Sequence, residues 1–344
     1  MKLLNTFLRD LKVSYRTYYI YIEFIMALII VAVLLFVVPE NMSSTTKLFL
    51  HVDDTVDAEI ILQSMESDKS TQVTLLDSRE AVVEAMEKDR ASQGAVISGR
   101  DQGIGYEIIL QGYESEKIRN ILENIFITGF KKEHPDFVDT TTVRVLDENA
   151  ERLSDRTSYM PLLLMLNSAF MGLFIVAAYV FMDKEEGTIK ALTVTPVSIK
   201  DYLLSKVGVM LFTGLMTGLL TTVLVVGRDA NYFYLTLILA ASNFFGTALG
   251  LFIASFYDSI IKSMGALYIV IMTMAFAGIS YFMPSFSPLV IRLLPSYPLL
   301  FAFREVFLRR PDVGFIMSTV GIFLIMGIGL FILAVMRYKK TLTV

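Results

Sequence analysis

The sequence contains no cysteine, only two histidines, and few charged residues for its length. Without cysteine there can be no disulfide, thiolate metal site or thiol nucleophile. The histidines, His51 and His134, match no metal-ligand spacing. Also missing are a G-x-x-x-x-G-K-[ST] phosphate loop, a G-x-S-x-G elbow and a His–Glu metal pattern, so no catalytic motif stands out. Charged residues make up 19% of the 344, against about a quarter in a soluble domain. Hydrophobic residues make up 54% and the mean hydropathy is +0.59. Such a chain lives largely in lipid.

What is present is a series of long apolar runs. A bilayer core about 30 Å thick needs about 20 apolar residues in a helix. Six stretches qualify: Tyr18–Val38, Tyr159–Met182, Tyr202–Val226, Phe233–Phe256, Ser263–Met283 and Val313–Met336. Helix is required at these lengths because lipid offers no partner to a free backbone N–H or C=O. The first run follows Lys2, Arg9, Lys12 and Arg16, as in a signal peptide. It exceeds an h-region in length and no A-x-A-like site follows Val38, so it reads as a retained anchor.

Basic residues then orient the chain. With the N-terminus in the cytoplasm, the inner segments hold Lys2, Arg9, Lys12, Arg16, Lys184, Lys190, Lys200, Lys206, Lys262, Arg337, Lys339 and Lys340. Outside the large polar insert, the opposite side holds only Arg228, Arg292, Arg304, Arg309 and Arg310. The bias places both termini in the cytoplasm of a cell-membrane protein. The insert, residues 39–158, carries 24 acidic against 13 basic residues, while the rest of the chain is net basic. That distribution argues against a nucleic-acid partner.

The chain therefore divides into an N-terminus with the first span (1–38), an extracytoplasmic domain (39–158) and a five-helix membrane domain (159–344). Within the insert, strands are expected at Lys47–Val52, Val73–Leu76, Gly94–Ile97, Tyr106–Leu110 and Thr141–Leu146. Helices are expected at Val56–Glu66, Arg79–Arg90 (capped by Ser78) and Glu116–Phe130. The order implies a small α/β or α+β domain. Asp53, Asp54 and Asp57 lack the glycine and terminal glutamate of a calcium loop and read as a solvated acidic surface.

Between spans two and three runs DKEEGTIKALTVTPVSIKDYLLSK, residues 183–206. Asp183, Glu185 and Glu186 lie where span two leaves the membrane, and a short helix can run to about Thr193. Pro196 ends it by disfavouring helix at Thr195. Ser198, with Asp201 three residues on, caps the next helix. The result is either a short surface helix able to pass on a partner's motion or an ordinary charged loop. Between spans five and six, the prolines of 284–311 split an apolar run into Leu289–Leu294 and Leu299–Leu308, each too short to cross. A re-entrant outer hairpin with Arg304 and Glu305 near the interface is preferred over helices lying on the bilayer. Gly214–Gly218 and Gly246–Gly250 are G-x-x-x-G pairs that permit close helix contact. Asn167, Ser168, Asn243 and Glu23 are the notable polar residues; Glu23 is expected to reach water at the inner interface. No array of intramembrane charges stands out.

Glu185, Glu186, Gly187, Thr188, Leu192, Thr195, Pro196, Ser198 and Lys206 resemble the signature of ABC-2 type permeases, an acidic E-x-E-G-T-like element followed by an L-x-x-T-P-x-S run and a lysine. Pro295, Tyr297, Pro298, Leu299, Ala302 and Arg304 are similar to that family's outer P-x-x-Y/P-L…A-x-R-like stretch. One span, a large outer domain and five further spans is also the order of one subgroup. The resemblance implies an α-helical polytopic exporter subunit with six spans, an inserted outer domain and a re-entrant hairpin. It further implies that Asp183, Glu185, Glu186, Gly187, Thr188, Leu192 and Pro196 couple to a separate ABC ATPase. Pro295, Pro298, Arg304 and Glu305 would form the outer gate. A second permease subunit and membrane lipid would be its other partners. ATP and Mg would be bound by the ATPase, and no cofactor by this chain. A mostly apolar interior suits a hydrophobic or amphipathic substrate. The competing reading is a membrane-anchored receptor or assembly factor whose outer domain binds a ligand.

Overall fold

The computed structural model describes residues 2–16, 18–40, 46–53, 71–89, 92–100, 103–109, 153–189, 197–283 and 286–342. In chain order these form α1 (Lys2–Arg16), α2 (Tyr19–Phe36), β1 (Thr46–Val52), β2 (Thr71–Leu75), α3 (Arg79–Lys88), β3 (Gln93–Arg100) and β4 (Gly103–Ile109). There follow α4 (Asp155–Leu163), a π-helical turn (Leu164–Ala169), α5 (Met171–Glu185), α6 (Ile199–Val225) and α7 (Tyr232–Ala254). The last elements are α8 (Ile260–Ala275), α9 (Ala277–Phe282), α10 (Leu289–Arg292), α11 (Ser296–Glu305) and α12 (Val313–Leu342). Two compact units result, Met1–Asn41 with Ala150–Val344, and Met42–Asn149.

In the second unit the sheet order is β2-β1-β3-β4. β1 is parallel to both β2 and β3, and β3 and β4 form an antiparallel pair. Alternation decides the faces: Leu48 and Leu50 of β1 and Ala95 and Ile97 of β3 point inward and form the core. Ser78 accepts from the Ala81 N–H at 3.1 Å and starts α3, whose Val82 and Met86 are buried. Gly94 makes that packing possible, because a Cβ there would lie 2.4 Å from Met86 Sδ and 2.7 Å from Val82 Cγ1. α3 stops at Lys88, two residues short of the expected end. The helices expected at Val56–Glu66 and Glu116–Phe130 and the strand at Thr141–Leu146 lie outside the described residues.

The first unit is helical. Five stretches are long and apolar enough to cross a membrane: Asp155–Glu185, Ile199–Val225, Tyr232–Ala254, Ile260–Phe282 and Val313–Lys340. The pair α1–α2, bent by 65°, brings the number to six if it counts as one span. α7 lies at the centre, against α5, α6 and α12, and buries Leu235, Ile238, Leu239 and Phe245. α8 keeps Ile261, Tyr268, Ile269 and Met272 exposed.

Several expectations need revision. The basic N-terminal segment, to which the sequence assigned no element, is a helix, α1, packed on α6 and α2. The second span is interrupted by the buried π turn and Phe170, directly after the turn of α4 that holds Pro161. The fifth is broken between Ala275 and Ala277. In the last connection, α10 is a single turn with Leu289, Val290 and Leu293 exposed. The two apolar pieces are separate, but the break lies before Ser296 and not at Pro298, which is the third residue of α11, where a helix N–H has no intrahelical acceptor to lose. Glu23 does not reach water, because α6 covers it and leaves it 1% exposed.

Candidate functional site

Three helices meet at a cluster of buried charges. Tyr202, Ser205 and Lys206 share one face of α6 by their i, i+3, i+4 spacing. The Lys206 ammonium lies 2.8 Å from Asp183 Oδ2, in the last turn of α5. Tyr202 donates its hydroxyl to the same oxygen at 2.6 Å. From α1, Asp10 approaches the ammonium at 3.8 Å and accepts a hydrogen bond from Ser205. Arg9, half exposed, reaches the other Asp10 oxygen at 3.2 Å. The rings of Tyr179 and Tyr202 lie 5.3 and 5.4 Å from Lys206 Nζ. Asp10, Asp183 and Lys206 are 3%, 5% and 4% exposed. Carboxylates so buried are tolerable only because each is paired and hydrogen-bonded.

The local sequence explains how α1 delivers Asp10. Thr6, Asp10 and Ser14 recur every four residues and form a buried polar stripe, flanked by Phe7 and Leu11. Gly208 lets the helices close: a Cβ there would stand 2.9 Å from the Phe7 ring.

Directly after Asp183 the chain surfaces. Glu185 and Glu186 are exposed, and Gly187 ends α5 with φ 74°, a left-handed conformation that costs a side chain energy. Its N–H bonds the Lys184 carbonyl at 3.2 Å. Thr188 is half-buried and Ile189, 3% exposed, joins the core beside Tyr202 and Leu203. Leu192, Thr195 and Pro196 lie outside the described residues. Ser198 accepts from the Asp201 N–H at 3.1 Å and donates to its carboxylate at 2.7 Å, starting α6. Lys184 bonds the Tyr257 carbonyl at 3.0 Å and sits 5.5 Å from the ring of Tyr338, near the end of α12.

At the other end of α12, an open pocket of about 340 Å³ is lined by Tyr297, Pro298, Phe301, Glu305, Asp312 and Phe315. Glu305 accepts from the Asp312 N–H at 2.8 Å, and Asp312 in turn accepts from Phe315 N–H at 2.9 Å to cap α12. Pro295 sits just before α11. Arg304 lies in the last turn of α11. Phe315 and Tyr338 are about 35 Å apart along the helix, so the pocket and the ion cluster are separated by about a bilayer's thickness.

The sequence profile described as ABC-2 family transporter protein matches residues 18–336. The chain belongs to this family. It is thus a multi-pass membrane protein and a permease component of an ABC transporter, a class in which ATP hydrolysis generally resides in a partner. Among curated proteins no match was found.

In this permease the four G-x-x-x-G glycines face backbone or side chains of neighbouring helices. A Cβ on Gly214 would lie 2.1 Å from Asn243 Nδ2 and 2.6 Å from the Ser168 carbonyl; on Gly218, 2.7 Å from Leu239 Cδ1. On Gly246 and Gly250 it would lie 2.5 Å from the carbonyls of Ala169 and Leu173. Asn243 donates to the Ser168 carbonyl at 2.8 Å. Sequence reasoning missed Asp10, which stands among basic residues and carries no motif. The one available signal was the four-residue recurrence of Thr6, Asp10 and Ser14.

Proposed function

We propose that the chain is the membrane-spanning subunit of an ABC exporter, moving a hydrophobic or amphipathic molecule outward by alternating access. α1–α2 forms the first of six spans. Both termini and the exposed turn at Glu185 and Glu186 face the cytoplasm of a cell-membrane protein, and the sheet unit lies outside. The excess of basic residues on that side supports this orientation. A separate ATPase binding ATP and Mg docks at Asp183–Pro196, and a second permease copy or sister chain completes the pathway. The connection at 284–311, with Pro295, Pro298, Arg304 and Glu305, closes its outer end.

One observation carries the reading beyond the family. The exposed acidic turn begins two residues after Asp183, and Asp183 is tied through Lys206 to α6 and on to Asp10 of α1. Force applied at Glu185 and Glu186 would therefore reach two spans and the N-terminal helix through buried ion pairs, not through a compliant loop. ATP drives the change only insofar as it favours one of the two conformations. The test is the double variant Glu185→Ala/Glu186→Ala, assembled with the transporter's ATPase in proteoliposomes. ATP hydrolysis should persist while transport falls at least tenfold. Transport at the wild-type rate overturns the coupling role.

A further inference from the structure

Glu23 of α2 is the one carboxylate of the helical unit held in the packed interior without a cation, among the described residues. It is 1% exposed. Its Oε1 accepts from the Thr217 hydroxyl at 3.1 Å, and its Oε2 has no hydrogen-bond partner. It faces a stripe of threonines on α6, Thr213, Thr217 and Thr221, which the i, i+4, i+8 spacing places on one side. All three are buried, and the Thr221 hydroxyl is also unpartnered. Thr217 approaches Ser168 of the π turn at 3.5 Å, so the stripe continues toward a third element. It lies about 16 Å along α6 from Lys206, well inside the span and beyond reach of the ion cluster.

Two requirements remain unmet at Glu23. An ionised carboxylate here lacks a counter-charge, which is strongly unfavourable in so buried a place. A proton on Oε2 would remove the charge and turn that oxygen into a donor, an outcome that the test below separates from an amine. A group that brings both a positive charge and an N–H meets the two requirements together. A metal cation would need several more oxygen ligands than one carboxylate and its neighbouring hydroxyls, and no group of three or more acidic residues or histidines that could hold one stands here among the described residues.

We propose that Glu23, with the hydroxyls of Thr217 and Thr221, is the recognition site for a protonated amine on the transported molecule, which is thereby a cationic amphiphile. This rests on the export reading above and narrows its substrate class. The amine donates to Glu23 Oε2 and its apolar body lies along α2, whose Ile22, Ile25, Met26 and Ile29 are exposed. α2 and α6 are in contact at the site, so the amine enters as the two helices part.

The test uses the full chain in nanodiscs of zwitterionic lipid and two probes that differ by one charge, dansylcadaverine and its N-acetyl derivative. The wild type should bind the amine saturably and at least tenfold more tightly than the amide. Glu23→Gln, close to isosteric, should lose that preference, and Thr217→Val should reduce it. Each variant is accepted only with an unchanged unfolding midpoint. Equal binding of both probes by the wild type overturns the proposal, whether or not the variants fold. So does an unaltered preference in Glu23→Gln. A Glu23-dependent proton uptake with no preference for the amine identifies a proton site only, and also overturns it. None of these results bears on whether an ATPase drives the chain, which the Glu185/Glu186 variant decides.

Discussion

Replacement of Lys206 by methionine is the sharpest probe of the ion cluster. The methionine fills much the same volume, so the change removes a charge with little loss of packing. It also removes the cation 2.8 Å from Asp183 and 3.8 Å from Asp10. Asp183 is then left 5% exposed with the Tyr202 hydroxyl still donating to it but no cation beside it, while Asp10 keeps Ser205 and the half-exposed Arg9. Removing one partner of a buried pair costs about 3–5 kcal/mol, because the other charge stays desolvated. Asp10→Asn should cost less, about 1–2 kcal/mol, since the 2.8 Å pair survives and an amide oxygen still accepts from Ser205. The decisive comparison is the triple variant Lys206→Met/Asp10→Asn/Asp183→Asn. With no charge left to bury, it should recover most of the loss of the single Lys206→Met change. Reversible unfolding in mixed micelles of mild detergent and sodium dodecyl sulfate reads all three. The reasoning fails if Lys206→Met lies within about 0.5 kcal/mol of wild type, well below the range expected for a broken buried pair. It fails equally if the triple variant is no more stable than the single one.

Gly214→Ala should destabilise by about 1–3 kcal/mol in the same assay, since its Cβ would meet Asn243 and the Ser168 carbonyl. Gly265→Ala should be neutral or stabilising by up to about 1 kcal/mol, because nothing lies within 4 Å of a Cβ there. In the sheet unit, Arg79 donates to Glu107 at 2.9 and 2.7 Å and holds that carboxyl below its ordinary pKa, chiefly through the hydrogen bond. The pair's contribution is therefore complete above the unfolded carboxylate pKa and disappears as pH falls through the lower folded value. Arg79→Met should accordingly speed amide exchange in β4 at pH 7 and leave it unchanged at pH 2. Because the chain lacks cysteine, Lys88→Cys introduces a single thiol at an exposed site. In intact cells an impermeant maleimide should label it from outside; labelling only after permeabilisation would reverse the proposed orientation.

Local features were legible in the sequence where the physics is local. Ser78 and Ser198 were readable as caps because the hydroxyl needs only an N–H three residues on, and both make that bond. The strands showed through the alternation of Leu48 and Leu50, and the spans through unbroken apolar length. The functional cluster was less visible because it joins residues 10, 183 and 206, brought together only by packing. Asp10 looked like a solvated charge beside Arg9 and Lys12, and the four-residue recurrence of Thr6, Asp10 and Ser14 is made of polar residues, which an apolar count passes over. Glu23 was misplaced too. Counting residues from Arg16 puts it near water, but depth is set by the neighbouring helix, and α6 presents Thr217 from well inside its own span. The split in the 284–311 run was readable from its prolines, but its place was not, because a proline such as Pro298 is tolerated in a helix's first turn.

The glycines and the ion cluster together constrain how a displacement of α5 could propagate. In lipid there is little hydrophobic gain from bringing two helices together, so contact depends on close approach and on polar pairs. The span made of α4, the π turn and α5 provides both. Its carbonyls at Ser168, Ala169 and Leu173 stand where side chains on Gly214, Gly246 and Gly250 would be, and Asn243 bonds the first of them. Its last turn carries Asp183 in the ion cluster. Where backbone meets backbone, no side-chain rotation can absorb a shift, and where a buried pair spans two helices, separation exposes a charge to a low-dielectric surrounding. A shift of α5 must therefore either move α6 and α7 with it or break contacts costing several kcal/mol. Gly250→Leu distinguishes these. It forces α7 off the Leu173 turn of α5 at a contact that Lys206 does not make, so transport should fall while the ATPase still binds. Unimpaired transport would show that α5 can slide past α7 freely and that the glycine contacts transmit nothing.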